Sequence, residues 1–289
     1  MNRLYGIVVV GSLAAVAGAS EPMASYLFDG SLAPEQAGVP ALERIDPMGT
    51  SGFVSDTVFG QTRSVYWVRG INSPPTSQGG LRVPASLLLP SASYSVEMVF
   101  LFTDRAGAWR RILDVTGRQT DQGFYVDPSN HLDVYPIIGS STNWTNDAYH
   151  HVVLTVSGGF ISAYLDGSPQ FNTVSTLMNT QANTPMVVFA DNTVAGGQAE
   201  WSNARIALLR LYDTPLTPAE VAALASDPFS TPSTCPADFN ADRGVDGSDI
   251  DAFFSAWEAG DGSADVNLDG GVDGSDIGVF FEAWEAGGC

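Results

Sequence analysis

The chain has 289 residues, of which 32 are acidic and 12 basic, every basic one an Arg, for a net charge of −20 at pH 7. That surplus excludes a grip on phosphate backbones or anionic lipid, so neither nucleic acid nor acidic membrane is an expected partner. Apolar residues at 44% and aromatics at 10% suffice for a packed core and exclude wholesale disorder. The charge is uneven: 13 acids against one Arg fall within the last 55 residues, Cys235 to Cys289, dividing the chain into two differently built parts.

Residues 1–19 read as a signal peptide. Arg3 precedes an apolar run, Leu4 to Val16, and Ala17-Gly18-Ala19 are small residues suited to cleavage after Ala19. The run is shorter than the roughly 20 residues needed to cross hydrocarbon, and no second long apolar run follows, so no membrane span is expected after removal. The mature chain is therefore expected outside the cell or at its surface, in an oxidising, calcium-rich compartment.

Residues 20–226 read as strands. Ser95 to Phe102 places Val96, Met98, Phe100 and Phe102 on one face of a half-buried strand. His151 to Val156 and Phe160 to Leu165 flank Ser157-Gly158-Gly159 as a hairpin, and Asp166-Gly167 marks the next reversal. Met186 to Ala190 and Arg205 to Tyr212 are further strands. One helix is signalled, Pro218 to Ala225, with Thr217 as N-cap and Glu220 completing a capping box. Many short strands and one late helix argue for a single antiparallel sandwich.

Tyr26-Leu27-Phe28-Asp29-Gly30, Tyr149 to Thr155, Ala163-Tyr164-Leu165-Asp166-Gly167, and Ile206 to Tyr212 leading to Leu216-Thr217-Pro218-Ala219-Glu220 together resemble the laminin-G-like, concanavalin A-like jelly roll. The resemblance implies lectin-like binders, adhesion modules or glycosidases, and often one structural calcium, to which Asp29 or Asp213 would contribute. Its glycosidases carry paired acids alternating along one strand, whereas Glu97, Asp104, Asp114, Asp121, Asp127 and Asp133 stand singly here. His150 and His151 are adjacent on a strand and so point to opposite faces, one inward and one to the surface, and cannot share a ligand. With no Cys in the body and no Gly-x-Ser-x-Gly elbow, no nucleophile is evident and no catalytic residue is expected. For binding, Trp144 with Asn143 and Asn146 lies in a polar stretch, Ser140 to Asp147, where an exposed indole would stack on a sugar ring.

Residues 227–234 are rich in Pro, Ser and Thr and read as a linker. Residues 235–289 are an internal duplication. Asp238 to Asp249 recurs 27 residues later as Asp265 to Asp276, and each copy runs into an apolar stretch that closes with Ala-Trp-Glu-Ala-Gly. Oxygen-bearing residues at loop positions 1, 3, 5, 9 and 12, with a backbone carbonyl at position 7, suit a hard cation, and calcium fits best. The donor sets are Asp238, Asn240, Asp242, Gly244, Asp246 and Asp249, then Asp265, Asn267, Asp269, Gly271, Asp273 and Asp276.

Asp at position 12, one helix per loop, the duplication and the Gly-Cys ending resemble a dockerin, a small EF-hand-like two-calcium domain that docks onto a cohesin or a surface partner. The resemblance implies partner contacts at loop positions 10 and 11, here Gly247, Ser248, Gly274 and Ser275. Two departures are evident: Arg243 replaces the position-6 Gly, and Gly-Ser stands where Ser-Thr is common. Cys235 and Cys289 bracket the domain, and a bridge between them would add roughly 4 kcal/mol by closing the chain; the rival is a free thiol in a sorting signal, Gly287-Gly288-Cys289. The expected protein is exported and non-catalytic, with a carbohydrate- or protein-recognising jelly roll on a calcium-dependent docking tail. The alternatives are a polysaccharide hydrolase of a dockerin-bearing assembly and a structural surface or adhesion component without a sugar ligand.

Overall fold

The computed structural model describes residues 20–87, 89–194, 196–229, 236–240, 245–267 and 271–285. The signal-peptide reading of residues 1–19, both cysteines and residues 230–234 of the linker lie outside that set. Two compact units are present, one spanning Ser20–Ser230 and one containing Thr231–Cys289.

The first unit is all-antiparallel. Its strands in chain order are β1 (Ala24–Tyr26), β2 (Glu43–Ile45), β3 (Gly52–Val58), β4 (Gln61–Val68), β5 (Gly80–Val83), β6 (Ser93–Phe102), β7 (Arg110–Asp114), β8 (Gly123–Val126), β9 (Leu132–Tyr135), β10 (Ile138–Gly139), β11 (His150–Ser157), β12 (Phe160–Leu165), β13 (Ser168–Val174), β14 (Met186–Val188) and β15 (Ala204–Tyr212). One sheet runs β13-β12-β11-β6-β15-β4-β3, with β1 also on β15; the other runs β10-β9-β8-β7-β14-β5-β2. Alternating residues of both sheets fill the space between them, Val96, Met98, Phe100 and Phe102 from β6 meeting Ile112, Phe124, Val126 and Val188.

The expected hairpin is β11–β12. Ser157 pairs with Phe160 across Gly158 and Gly159, whose φ values of +55° and +90° suit a two-residue turn that side chains strain. Helix α1 (Pro218–Ser226) starts at the expected capping box, Thr217 accepting from the Glu220 amide.

The first sheet differs from a half-exposed one because α1 covers its outer face. Val153, Tyr164 and Tyr212 pack there with Leu216, Val221 and Leu224. The start of the stretch read as linker also belongs to the sandwich: the Phe229 ring lies 3.6 Å under the Arg63 guanidinium, and Phe59 lies against it.

The second unit holds α2 (Gly247–Ala259) and α3 (Gly274–Glu285), each starting nine residues after its loop's first Asp. Phe253 and Phe280, equivalent in the repeat, stack with centroids 4.3 Å apart and planes 3° apart. With Ala264 they form a small core fully shielded from solvent. Among the described residues no helix is long and apolar enough to cross a membrane.

Candidate functional site: a sheet face and two acidic loops

Trp144 corrects the sequence expectation. It is 2% exposed, its ring 5.0 Å from Phe100, 5.9 Å from Phe102 and 4.3 Å from His150. Polar neighbours mark the stretch as a loop but do not say which way its indole turns, and the β6 aromatics provide an apolar slot. Asn146 accepts from Arg110 Nη1 at 2.7 Å, and Asn143 Oδ1 pairs with His131 Nε2 at 3.1 Å. Trp144 therefore belongs to the core, and with both Asn side chains engaged by neighbouring residues the three form no open sugar platform.

Both adjacent histidines are buried, again unlike the expectation of one at the surface. They do point to opposite faces: His150 packs on Trp144 and pairs with Asp166 Oδ2 at 2.7 Å, while His151 meets Glu97 Oε1 at 3.0 Å beneath α1. Glu97 also contacts Arg210 Nη1 at 3.3 Å and accepts from the Tyr212 hydroxyl at 2.6 Å. Burial alone raises the Glu97 carboxyl, but the His151 hydrogen bond and the Arg210 charge outweigh it and hold the group below the usual range.

A partly exposed aromatic cluster occurs instead on the outer face of the second sheet. Arg110, Ile112, Phe124, Val126 and Val134 face the core, so the alternation turns Trp109, Arg111, Tyr125 and Tyr135 outward. Trp109, Tyr125 and Tyr135 pack edge to face, with centroids 5.4 to 6.4 Å apart. Tyr125 is buried, Trp109 half-buried, and Tyr135 is 37% exposed.

Beside this trio stand three carboxylates, Asp121, Asp191 and Glu200, with ligand oxygens all within 4.8 Å of one another. Arg111 organises them: Nε donates to Asp191 Oδ1 at 2.8 Å, Nη1 to Asp114 Oδ2 at 2.7 Å and Nη2 to Asn192 Oδ1 at 3.1 Å, with the guanidinium 4.7 Å over the Tyr125 ring. The Glu200 amide donates to Asp191 Oδ2 at 2.8 Å, and the Tyr125 hydroxyl to the Asp121 carbonyl at 2.9 Å. Arg111, with the Arg118 guanidinium close by, faces four acids. Burial first, then the Asp121 and Asp191 charges, pushes Glu200 up to about 8. Gly197, with φ +73°, sits so close to the Asp121 carboxylate that a Cβ there would collide with it. Asp121 and Glu200 are half-buried, and Asp121 Oδ1 is shielded from solvent without a hydrogen-bond partner beside the aromatic cluster.

This site escaped the sequence reading because Asp121 and Glu200 lie far apart in the chain and share no motif; only the outward alternation of Trp109, Arg111, Tyr125 and Tyr135 was a usable signal. Asp29 and Asp213 are both exposed, and neither belongs to the three-acid cluster.

In the second unit the two loops repeat one hydrogen-bond pattern. Asp249 Oδ1 and Oδ2 accept from the amides of Asn240 at 3.0 Å and Asp246 at 2.9 Å; Asp276 accepts from Asn267 at 3.2 Å and Asp273 at 2.8 Å. Both position-12 carboxylates are fully buried, and Asp238 is 9% exposed. Ser248 and Ser275 are exposed, yet their hydroxyls are tied into the loops, each accepting from the position-3 Asn and donating to the position-9 Asp at 2.6 to 2.7 Å. Gly247 and Gly274 open the helices beside them with free space around each Cα. Asp265 and Gly271 fall in the described part of the second loop, whereas Asp242, Gly244 and Asp269 lie outside the described residues.

The profile of the concanavalin A-like lectin/glucanases superfamily matches residues 75–222, just over half of the chain. The chain belongs to that superfamily. The match covers β5 to β15 and therefore the whole Arg111 cluster, and it ends before the second unit. Among solved structures, domain 4 of a GH43 extracellular arabinanase from Geobacillus stearothermophilus, in complex with arabinotriose, aligns with a TM-score of 0.55 at 18% identity, covering 71% of this chain and 98% of that one. A structure concerned with cell entry of botulinum neurotoxin type C through two ganglioside molecules aligns at 0.50 and 12% identity, covering 71% and 51%. Trypanosoma rangeli sialidase aligns at 0.44 and 14%, covering 67% and 33%. The chain thus spans about half of the neurotoxin chain and a third of the sialidase. At these identities the likeness is one of fold. No curated protein matches the chain.

Proposed function

We propose that this superfamily member is an exported, non-catalytic protein whose jelly roll binds carbohydrate on the outer face of its second sheet, and whose tail is a dockerin-like, calcium-dependent docking module. The observation that carries the first half is the juxtaposition of the Trp109–Tyr125–Tyr135 aromatics with the part-exposed carboxylates Asp121 and Glu200. Aromatic faces stack on sugar rings while carboxylate oxygens accept their hydroxyls. The arabinotriose and gangliosides named for the two structural neighbours support a carbohydrate ligand.

Calcium suits the tail on the chemistry of its donors. The buried Asp249 and Asp276 are met by backbone amides, and the tail's one basic residue is Arg243, so the crowded carboxylates want a hard cation. Asp238, Asn240, Asp242, Gly244, Asp246 and Asp249 would hold one ion and their repeats the other; the bound ion supplies the positive charge that the side chains lack. The half-buried Phe254, Trp257, Phe281 and Trp284, with Gly247, Ser248, Gly274 and Ser275, form the surface offered to a cohesin-like or cell-surface partner.

A polysaccharide-hydrolase reading is favoured by one feature, the closely set Asp121 and Glu200, of which Glu200 is raised as a general acid would be. Retention of the mature chain on polysaccharide gels, with assay of new reducing ends, separates the readings. Trp109→Ala should lose retention by about 1–2 kcal/mol with little change in melting temperature. Trp144→Ala should do the reverse, costing about 3–5 kcal/mol of stability as a core indole does. New reducing ends that vanish in Glu200→Gln would establish the hydrolase; retention unaffected by Trp109→Ala would move the binding face elsewhere.

A further inference from the structure

The two loops of the tail touch each other's helices in a crossed pattern. Trp257, on the helix that follows the first loop, donates its indole N–H to the carbonyl of Asp273 in the second loop at 2.8 Å. Trp284, on the helix that follows the second loop, donates to the carbonyl of Asp246 in the first at 3.3 Å. The four residues are repeat equivalents, 27 positions apart, and the stacked Phe253 and Phe280 rings lie where the two copies meet.

The carbonyls that receive these indoles are not incidental. Asp246 and Asp273 occupy loop position 9, and each carbonyl also accepts the amide of its own position-12 Asp, at 3.2 and 3.3 Å. The same position-9 amide donates to the position-12 carboxylate. Positions 9 and 12, two of the calcium-bearing positions, are therefore locked into one small ring of hydrogen bonds, and the opposite indole holds that ring at its backbone. Both tryptophans are half-buried in the tail's cluster, so each indole also has its ring fixed by packing.

We propose that Trp257 and Trp284 are positioning residues that act across the pseudo-twofold: Trp257 sets the geometry of the second calcium loop and Trp284 that of the first, so that neither loop is ordered independently of the other's helix. The consequence is coupling between the sites. An ion that orders one loop also fixes the helix whose indole steadies the other, and a second ion then meets a loop already part-arranged.

The coupling rests on the calcium reading of the tail, and the experiment keeps the two apart by using two readouts on the full mature chain. Hydrogen exchange followed by peptide mass spectrometry reads each loop separately. In Trp257→Phe, amides of residues 265–276 should exchange faster while those of 238–249 stay unchanged, and Trp284→Phe should show the mirror image. Calcium titration by calorimetry supplies the second readout. With the first loop disabled by Asp238→Ala, Trp257→Phe should weaken the remaining site about tenfold, as loss of one well-placed hydrogen bond does, and Trp284→Phe should leave it unchanged. Should a Phe variant lose the helical signal of the tail, benzothienylalanine at the same position keeps the ring's size and removes only the N–H. Faster exchange confined to the variant's own loop, equal in both loops, or absent from both would overturn the crossed assignment. A wild-type chain that binds no calcium would sink the calcium reading and the coupling with it, and the exchange pattern would still decide whether each indole steadies the opposite loop.

Discussion

In the sandwich, Glu97 is fully buried against His151, Arg210 and Tyr212, whereas in the tail Asp249 and Asp276 are just as buried and their carboxylates are met by backbone amides of their own loops. The first arrangement closes its charge balance with side chains from β6, β11 and β15. The second has one Arg in 55 residues to set against 13 acids. Burying a carboxylate demands a partner in either setting: a large core can hold a cation of its own, while a small one built around Phe253, Ala264 and Phe280 would, on the calcium reading proposed above, draw it from a bound ion. The Arg111 cluster lies between these cases, a guanidinium shared among Asp114, Asp121 and Asp191 with Glu200 left partly protonated.

The largest expected effect breaks the comparison at the tail. Chelating calcium from the full chain should abolish the helical circular dichroism of α2 and α3 while the melting transition of the sandwich stays where it was. A helical signal indifferent to chelator would show that the tail, like the sandwich, balances its charge internally.

Next comes Glu97→Ala, expected to destabilise the sandwich by about 3–5 kcal/mol in urea because Arg210 is left buried without its counter-charge. Since the folded carboxyl is held below its usual 4.5, its contribution is present above that value and is lost as pH falls through the lower folded one. Wild type should therefore converge on the variant in acid. A gap between the two that stays constant down to low pH would assign Glu97 a packing role alone.

The smallest effect sharpens the intermediate case. Glu200 titrates at about 8 when folded, against a usual 4.5, so its contribution is complete below 4.5 and is lost as pH rises towards 8. Glu200→Gln should raise the melting temperature near pH 8 and leave it unchanged near pH 4. Equal shifts at both values would remove from the account the burial of Glu200 and its repulsion by Asp121 and Asp191.

Much of the architecture was legible in the sequence wherever the signal is local. The β6 alternation, the Gly158-Gly159 hairpin and the Thr217 capping box each depend on neighbours a few residues apart, as does the twofold Asp-x-Asn pattern of the tail, whose spacing is covalent. What lay beyond it was the direction in which ambiguous residues turn. A polar loop around Trp144 suggested an open indole, and only the packing of Phe100 and Phe102 beside it drew the ring inward. A strand with Glu97 on its second face suggested solvent there, and only α1 covering that face buried the acid with His151. Asp121, Asp191 and Glu200 come together because Arg111 on β7 gathers loops from three parts of the chain, and the crossed indoles of Trp257 and Trp284 exist because two helices pack face to face. Hydrophobic pattern and turn chemistry are properties of neighbours along the chain; the meeting of charges and donors from distant segments is set by how those elements pack, and periodicity carries no record of it.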